Sequence, residues 1–247
     1  MTLDGLEPSI LLPALAAGLL VLASHVPLGM EVLRRGIIFI DLAIAQIAGL
    51  GIVIASTLGF AVDGWRTQLS AVLAALAGAL VLRWMEKKNP AHLEAVIGVS
   101  FVAAACAAVV LMSQDPHAGE HLQELLVGQI LWSTWGGLAP LALVTAAVLV
   151  AWFGLNLKAS ALGFYLLFAL TVTASVQVVG VYLVFASLIV PALAAAGRLW
   201  RAYAVGIAGY ALGLLASGLF DLPAGAAIVL ALVVAGALAG RLRRASD

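Results

Sequence analysis

Two polar side chains, Asp41 and Gln46, stand inside FIDLAIAQIAGLG, residues 39–51, a run that is otherwise apolar and belongs to a stretch long enough to cross a membrane. A carboxylate at membrane depth costs roughly 2.5 to 3.5 kcal/mol on insertion scales, so such an acid is expected to face a bundle interior or a wet cavity, where it handles a cation or a proton. On an ideal helix Asp41 shares a face with Ala45 and Ala48, while Gln46 lies about 140° further round. A single wide turn, with i to i+5 bonding, brings positions five apart onto one side and is frequent at functional sites. That turn is the expectation if Asp41 and Gln46 look into one pathway. The competing reading has Asp41 capping its helix or pairing with Arg34 or Arg35 at the membrane face.

Further along, residues 171–195 combine an intramembrane Gln177, a glycine hinge at Gly180 and a proline, Pro191, in mid-span. Proline frees a carbonyl, and such gaps survive in membrane helices where protein, water or a ligand satisfies them. These residues join the candidate pathway, with a plain packing kink as the alternative for Pro191. The segment HAGEH, residues 117–121, matches the HxxEH pattern of inverted zinc proteases. The enzyme reading is rejected: Pro116 and Gly119 disfavour the helix it needs, and no soluble domain supplies a third ligand and a cleft. Imidazole and carboxylate are ordinary ligands for first-row metals, so His117, Glu120, His121 and Glu124 remain candidates for a low-affinity metal entrance, with a solvated polar loop as the alternative. His25 reads as a packed helix residue and His92 as loop. No GxxxxGK[ST] occurs, so nucleotide hydrolysis, if it drives transport, belongs to another subunit.

The elements that hold these residues are membrane helices. Of 247 residues 64% are hydrophobic and only 10% charged, with a mean hydropathy of +1.17, which is more apolar surface than one soluble core of this size buries. The formal charge of +0 leaves no excess to attract nucleic acid. About twenty residues make one crossing. Spans are expected at 9–29, 36–60, 68–85, 95–112 and 136–154, two within 159–197 joined near Ser175, Gln177 and Gly180, and then 202–219 and 223–240. The fold class is therefore all-α, a polytopic bundle of about nine spans, with eight if one of the joined pair is broken or re-entrant. Arg34 and Arg35, the basic loop at 83–94, Lys158, Arg198 with Arg201, and the terminal RLRR mark the inside by the positive-inside rule. The segment 113–124 carries acids and histidines but neither lysine nor arginine, so it lies outside, with the amino terminus out and the carboxyl terminus in. The acidic amino terminus, unlike a secretory signal, makes the first span a retained helix. Gly209 with Gly213 and Gly236 with Gly240 read as close-packing faces, and Cys106 as a small core residue. The whole of 1–247 reads as one transmembrane domain.

The segments LRRGIIFIDLAIAQIAGLG, EAVIGVSFVAAA, HLQELLVGQILW, SVQVVGVYLVFASLIVPALAAAGRL and DLPAGAAIVL resemble the membrane permease of bacterial metal-ion ABC importers, which take up zinc, manganese or iron. The resemblance implies a multi-pass protein of the cell inner membrane, paired with a second copy of itself, driven by a separate ATPase and supplied by a periplasmic or lipid-anchored metal-binding protein. It implies no permanently bound cofactor, the divalent ion being cargo. Two departures are visible. Many relatives place histidine four residues after the aspartate, where this chain has Ala45 followed by Gln46. They also carry a longer cytoplasmic stretch after the fifth span, where this chain has only GLNLKASALG, which leaves Lys158, or Lys87 and Lys88, to meet the ATPase. The alternative function is a secondary cation carrier or channel that uses Asp41.

Overall fold

The computed structural model describes residues 7–61, 64–88, 90–112, 128–195 and 197–244. Among them are nine α-helices and no strand: α1 (Pro8–Arg35), α2 (Ile40–Thr57), α3 (Trp65–Lys88), α4 (Leu93–Leu111), α5 (Ala139–Leu149), α6 (Ala161–Val179), α7 (Val181–Ala194), α8 (Leu199–Phe220) and α9 (Ala224–Arg244). Seven have the length and apolarity of a full crossing; the stretch Ala139–Gly154, which includes α5, and the 14-residue α7 are shorter. The break expected between residues 159 and 197 falls at Gly180, whose φ of 79° suits a residue without a Cβ. Its backbone is satisfied on both sides, since Gly180 N–H donates to the Val176 carbonyl at 2.8 Å and its own carbonyl accepts from Val184 N–H at 3.1 Å.

The helices gather into two compact units. The first contains α1, the turn Ile130–Trp132, most of α5, the end of α6, and α7 to α9. Here α8 packs on α9, and both pack on α7, which also meets α1. Glycine makes these approaches possible. A Cβ on Gly213 would strike the backbone of Ile228, and one on Gly209 the Leu232 side chain, as the small-residue face predicts. Gly236 instead meets Val190 of α7, while nothing lies within 4 Å of a Cβ on Gly240, so the second glycine pair does not act as a unit. Gly128, with φ 69°, lies against the Val179–Gly180 peptide with no room for a side chain. Pro27 leaves the Ala23 carbonyl without its helical donor, and the Tyr203 hydroxyl of α8 donates to that oxygen at 2.9 Å. The buried Tyr210 lies over Gly18 and shares a 2.8 Å hydrogen bond with Ser187.

The second unit contains α2, α3, α4, the segment from Val148 through a π-helical turn at Val150–Gly154, and α6 as far as residue 174. α2 packs on both α3 and α4. Its Gly51 lies on Ser70, Ala71 and Ala74, and Ser70 Oγ donates to the Gly51 carbonyl at 2.8 Å. Trp152, Phe164 and Phe168 form a buried aromatic group that seats the π turn against the start of α6. Cys106 is exposed on α4, contrary to the expectation of a core position. In a membrane protein the lipid-facing side of a helix is as apolar as its packed side, so an apolar neighbourhood in sequence does not place a residue inside.

Candidate ion-handling site at the start of α2

α2 starts after a short turn in which Gly36 has φ 70°, and Phe39 is its N-cap. The first turn of a helix leaves N–H groups unpaired and carries the positive end of the macrodipole, so carboxylates gather there. Two do. Glu94, in the first turn of α4, reaches across so that Phe39 N–H donates to its Oε1 at 3.4 Å. Asp41 lies in the first turn of α2 and is only 1% exposed. Neither Asp41 oxygen has a hydrogen-bond partner among the described residues, and neither does Glu94 Oε2.

Arg34 and Arg35 are the last residues of α1, where a cation suits the helix C-terminus, and both bond to Glu31 one turn earlier, Arg35 Nε at 2.7 Å. Ala45 and Ala48 are buried on the Asp41 face as the helical spacing requires. The wide turn expected in this helix is absent: α2 is α-helical from Ile40 to Thr57, with no proline to open its ladder. Gln46 is half-buried and keeps its position about 140° from Asp41. The π turn of the chain occurs instead at Val150–Gly154.

Gln177 is exposed on α6, where Thr171, Thr173 and Ser175 are the buried polar residues. Gly180 and Pro191 are buried at the start and within α7. Lys87 and Lys88 end α3, with Lys88 Nζ 4.2 Å from the centre of the Trp84 ring; Lys158 Nζ lies 5.3 Å from that of Phe153. His25 is fully buried, its Nδ1 2.9 Å from the Val21 carbonyl, in keeping with a packed helix residue. His117, Glu120, His121 and Glu124 lie outside the described residues. Among those described, no group of three or more His, Cys, Asp or Glu is placed to hold a metal. A cavity of about 450 Å³ beside α1 and α5 is lined by Leu19, Leu20, Trp135, Leu138 and alanines and offers no metal ligand. Glu94, which sequence reasoning did not single out, is joined to the start of α2 by the structure. Its position in a first turn after Pro90 marks it as a helix-start acid, but the amide it reaches is 55 residues away.

The sequence profile of the ABC 3 transport family matches residues 7–153 and 151–239. The chain belongs to this family. The family resemblance drawn from its five segments is borne out, and the two parts of the match overlap at residues 151–153, within the π turn. A solved structure described as PsaBC from Streptococcus pneumoniae in complex with Fab shares the fold, with a TM-score of 0.71 and 22% identity over 99% of this chain and 98% of that chain. No curated protein matches the sequence.

Proposed function

We propose that this ABC-family membrane protein is the permease of an importer that carries a divalent metal ion, zinc, manganese or iron, across the cell inner membrane. A separate ATPase powers it, a metal-binding protein supplies the ion, and two copies of the chain form the pathway, each a single transmembrane domain over 1–247. The observation that carries this reading is Asp41, buried with both oxygens unpaired in the segment that bears the family resemblance. A buried carboxylate that no fixed cation or donor satisfies is costly unless a mobile positive charge visits it.

The Phe39–Glu94 bond supports the topology, because it brings the starts of α2 and α4 to one end of their unit, and both follow basic segments read as cytoplasmic. Asp41 then serves the cytoplasmic part of the route, with Gln46, Gln177, Gly180 and Pro191 along it and His117, Glu120, His121 and Glu124 at its entrance. Exposed Lys87 and Lys88, together with Lys158, present cations to the ATPase. Its cargo would bind and leave, which suits a site with few protein ligands.

Uptake of Zn²⁺, Mn²⁺ and Fe²⁺ into inverted and right-side-out vesicles, with and without ATP, tests the proposal. ATP-dependent uptake that Asp41→Asn reduces is expected. Uptake that persists without ATP refutes the importer and leaves the secondary carrier; unaltered uptake by Asp41→Asn removes the role of the acid.

A further inference from the structure

α3 divides its residues between two faces. Thr67, Ala71, Ala75, Gly78 and Leu82 are buried, and Gly78 lies against Ile47 of α2; at 100° per residue they occupy an arc of about 80°. The exposed Trp65, Leu69, Leu73, Leu80 and Trp84 occupy an arc of about 100° on the opposite side. A cation stands over an aromatic ring at each end of this apolar face. Arg66 Cζ is 5.5 Å from the centre of the Trp65 ring and 5.3 Å from that of the exposed Phe60, and Lys88 Nζ is 4.2 Å from that of Trp84. A ring at the edge of the hydrocarbon with a cation beside it is the arrangement that suits a membrane interface. From Arg66 to Lys88 the helix rises about 33 Å, against roughly 30 Å of hydrocarbon, so the two cations reach the two headgroup layers. Arg66 stands in the first turn of α3, where the helix end is itself positive, and on the side read as outside, where a basic residue is not favoured. A bound anion makes that position favourable.

We propose that the exposed face of α3 binds phospholipid, Arg66 holding the phosphate of an outer-leaflet lipid and Lys88 that of an inner-leaflet lipid. A guanidinium meets phosphate through its planar fork and an ammonium as a point charge. Phosphatidylglycerol is preferred to phosphatidylcholine, whose choline cation offsets its phosphate. The lipid tails lie along Leu69, Leu73 and Leu80. A second copy of this chain is the competing occupant, and the composition of the face argues against it. Close helix pairs in membranes use small residues, and Ala71, Ala75 and Gly78 are on the buried side of α3, whereas the exposed side presents leucine and tryptophan. The inference goes beyond the importer reading and is independent of the ion carried. It leaves Lys87 and Lys158 as the cations offered to the ATPase.

The test is photocrosslinking of the full-length protein in vesicles of equal parts phosphatidylglycerol and phosphatidylcholine, with p-benzoylphenylalanine in place of Leu69 or of Leu80 and the adducts identified by mass. Both are exposed positions, and gel filtration before reconstitution selects folded protein. Lipid adducts enriched in phosphatidylglycerol are expected at both. Arg66→Gln should lower the ratio of phosphatidylglycerol to phosphatidylcholine at position 69 about fivefold and leave position 80 unchanged, as loss of one cation at a membrane surface requires. Lys88→Gln should do the reverse, while Lys88→Arg keeps the wild-type ratio. Crosslinks between two copies in place of lipid adducts would show that protein covers this face and would overturn the inference. A ratio that Arg66→Gln or Lys88→Gln leaves unmoved overturns it as well, because that cation would then hold no phosphate.

Discussion

Tyr203→Phe removes a single oxygen, and the structure states what that oxygen does. Pro27 has no N–H, so the Ala23 carbonyl four residues earlier lacks its helical partner, and the Tyr203 hydroxyl donates to it at 2.9 Å. An unsatisfied buried carbonyl costs about 1 to 3 kcal/mol in general, while interhelical polar contacts in membranes average about 0.6 kcal/mol and reach about 1.7. Ala23 and Tyr203 are both half-buried, which places the expected loss near the lower end, about 1 kcal/mol. The decisive comparison is made in a Pro27→Ala background, where the new N–H restores the helical bond and leaves the tyrosine hydroxyl redundant. There Tyr203→Phe should cost close to nothing, for a coupling of about 1 kcal/mol. Steric trapping in bicelles measures all four proteins under native conditions. Equal losses in both backgrounds would refute the argument, because the hydroxyl would then stabilise the protein by a route that does not involve the carbonyl freed by proline.

Gly128→Ala should impair folding or transport severely, because its Cβ would collide with the Val179–Gly180 peptide, whereas Gly136→Ala, with nothing within 4 Å, should be silent in the same uptake assay. Gly213→Val should separate α8 from α9 and cost about 2 kcal/mol or more in steric trapping, since the added carbon meets the Ile228 backbone and cannot be absorbed by a rotamer change. Cys106→Leu, at an exposed position on α4, should change stability by less than about 0.5 kcal/mol in steric trapping; a loss as large as that of a core substitution would contradict its placement. Glu31→Gln should weaken both arginine contacts at the end of α1 and lower stability by about 1 to 2 kcal/mol in steric trapping, because Arg34 is exposed while Glu31 and Arg35 are largely shielded.

The helical class and the approximate place of every described helix were legible because membrane helices declare themselves by length and hydropathy, and the basic clusters delimit them. The hinge at Gly180 was legible for a local reason, a glycine between two apolar runs. Which face each helix buries was not. Cys106 and Gln177 proved exposed, since lipid and protein interior select similar side chains and an apolar sequence carries little periodicity in such a setting. Asp41 stood out as an acid in an apolar run, whereas Glu94 is an ordinary helix-start acid until the fold brings it to Phe39. The wide turn was expected in α2 because two polar residues five apart would have benefited from it. The actual one, at Val150–Gly154, falls where the two parts of the family match overlap, away from either of those polar residues.

α7 contains 14 residues and rises about 21 Å, less than the roughly 30 Å of hydrocarbon in a bilayer. At least one of its ends is therefore submerged. Since the Gly180 amide and carbonyl are already matched, that end can be the one beginning at Gly180, without drawing solvent inward. A spin label at Tyr182, which is 54% exposed, should collide more often with dissolved oxygen than with a water-soluble nickel chelate, and so report a chain reversal or bend held at depth instead of at the headgroups.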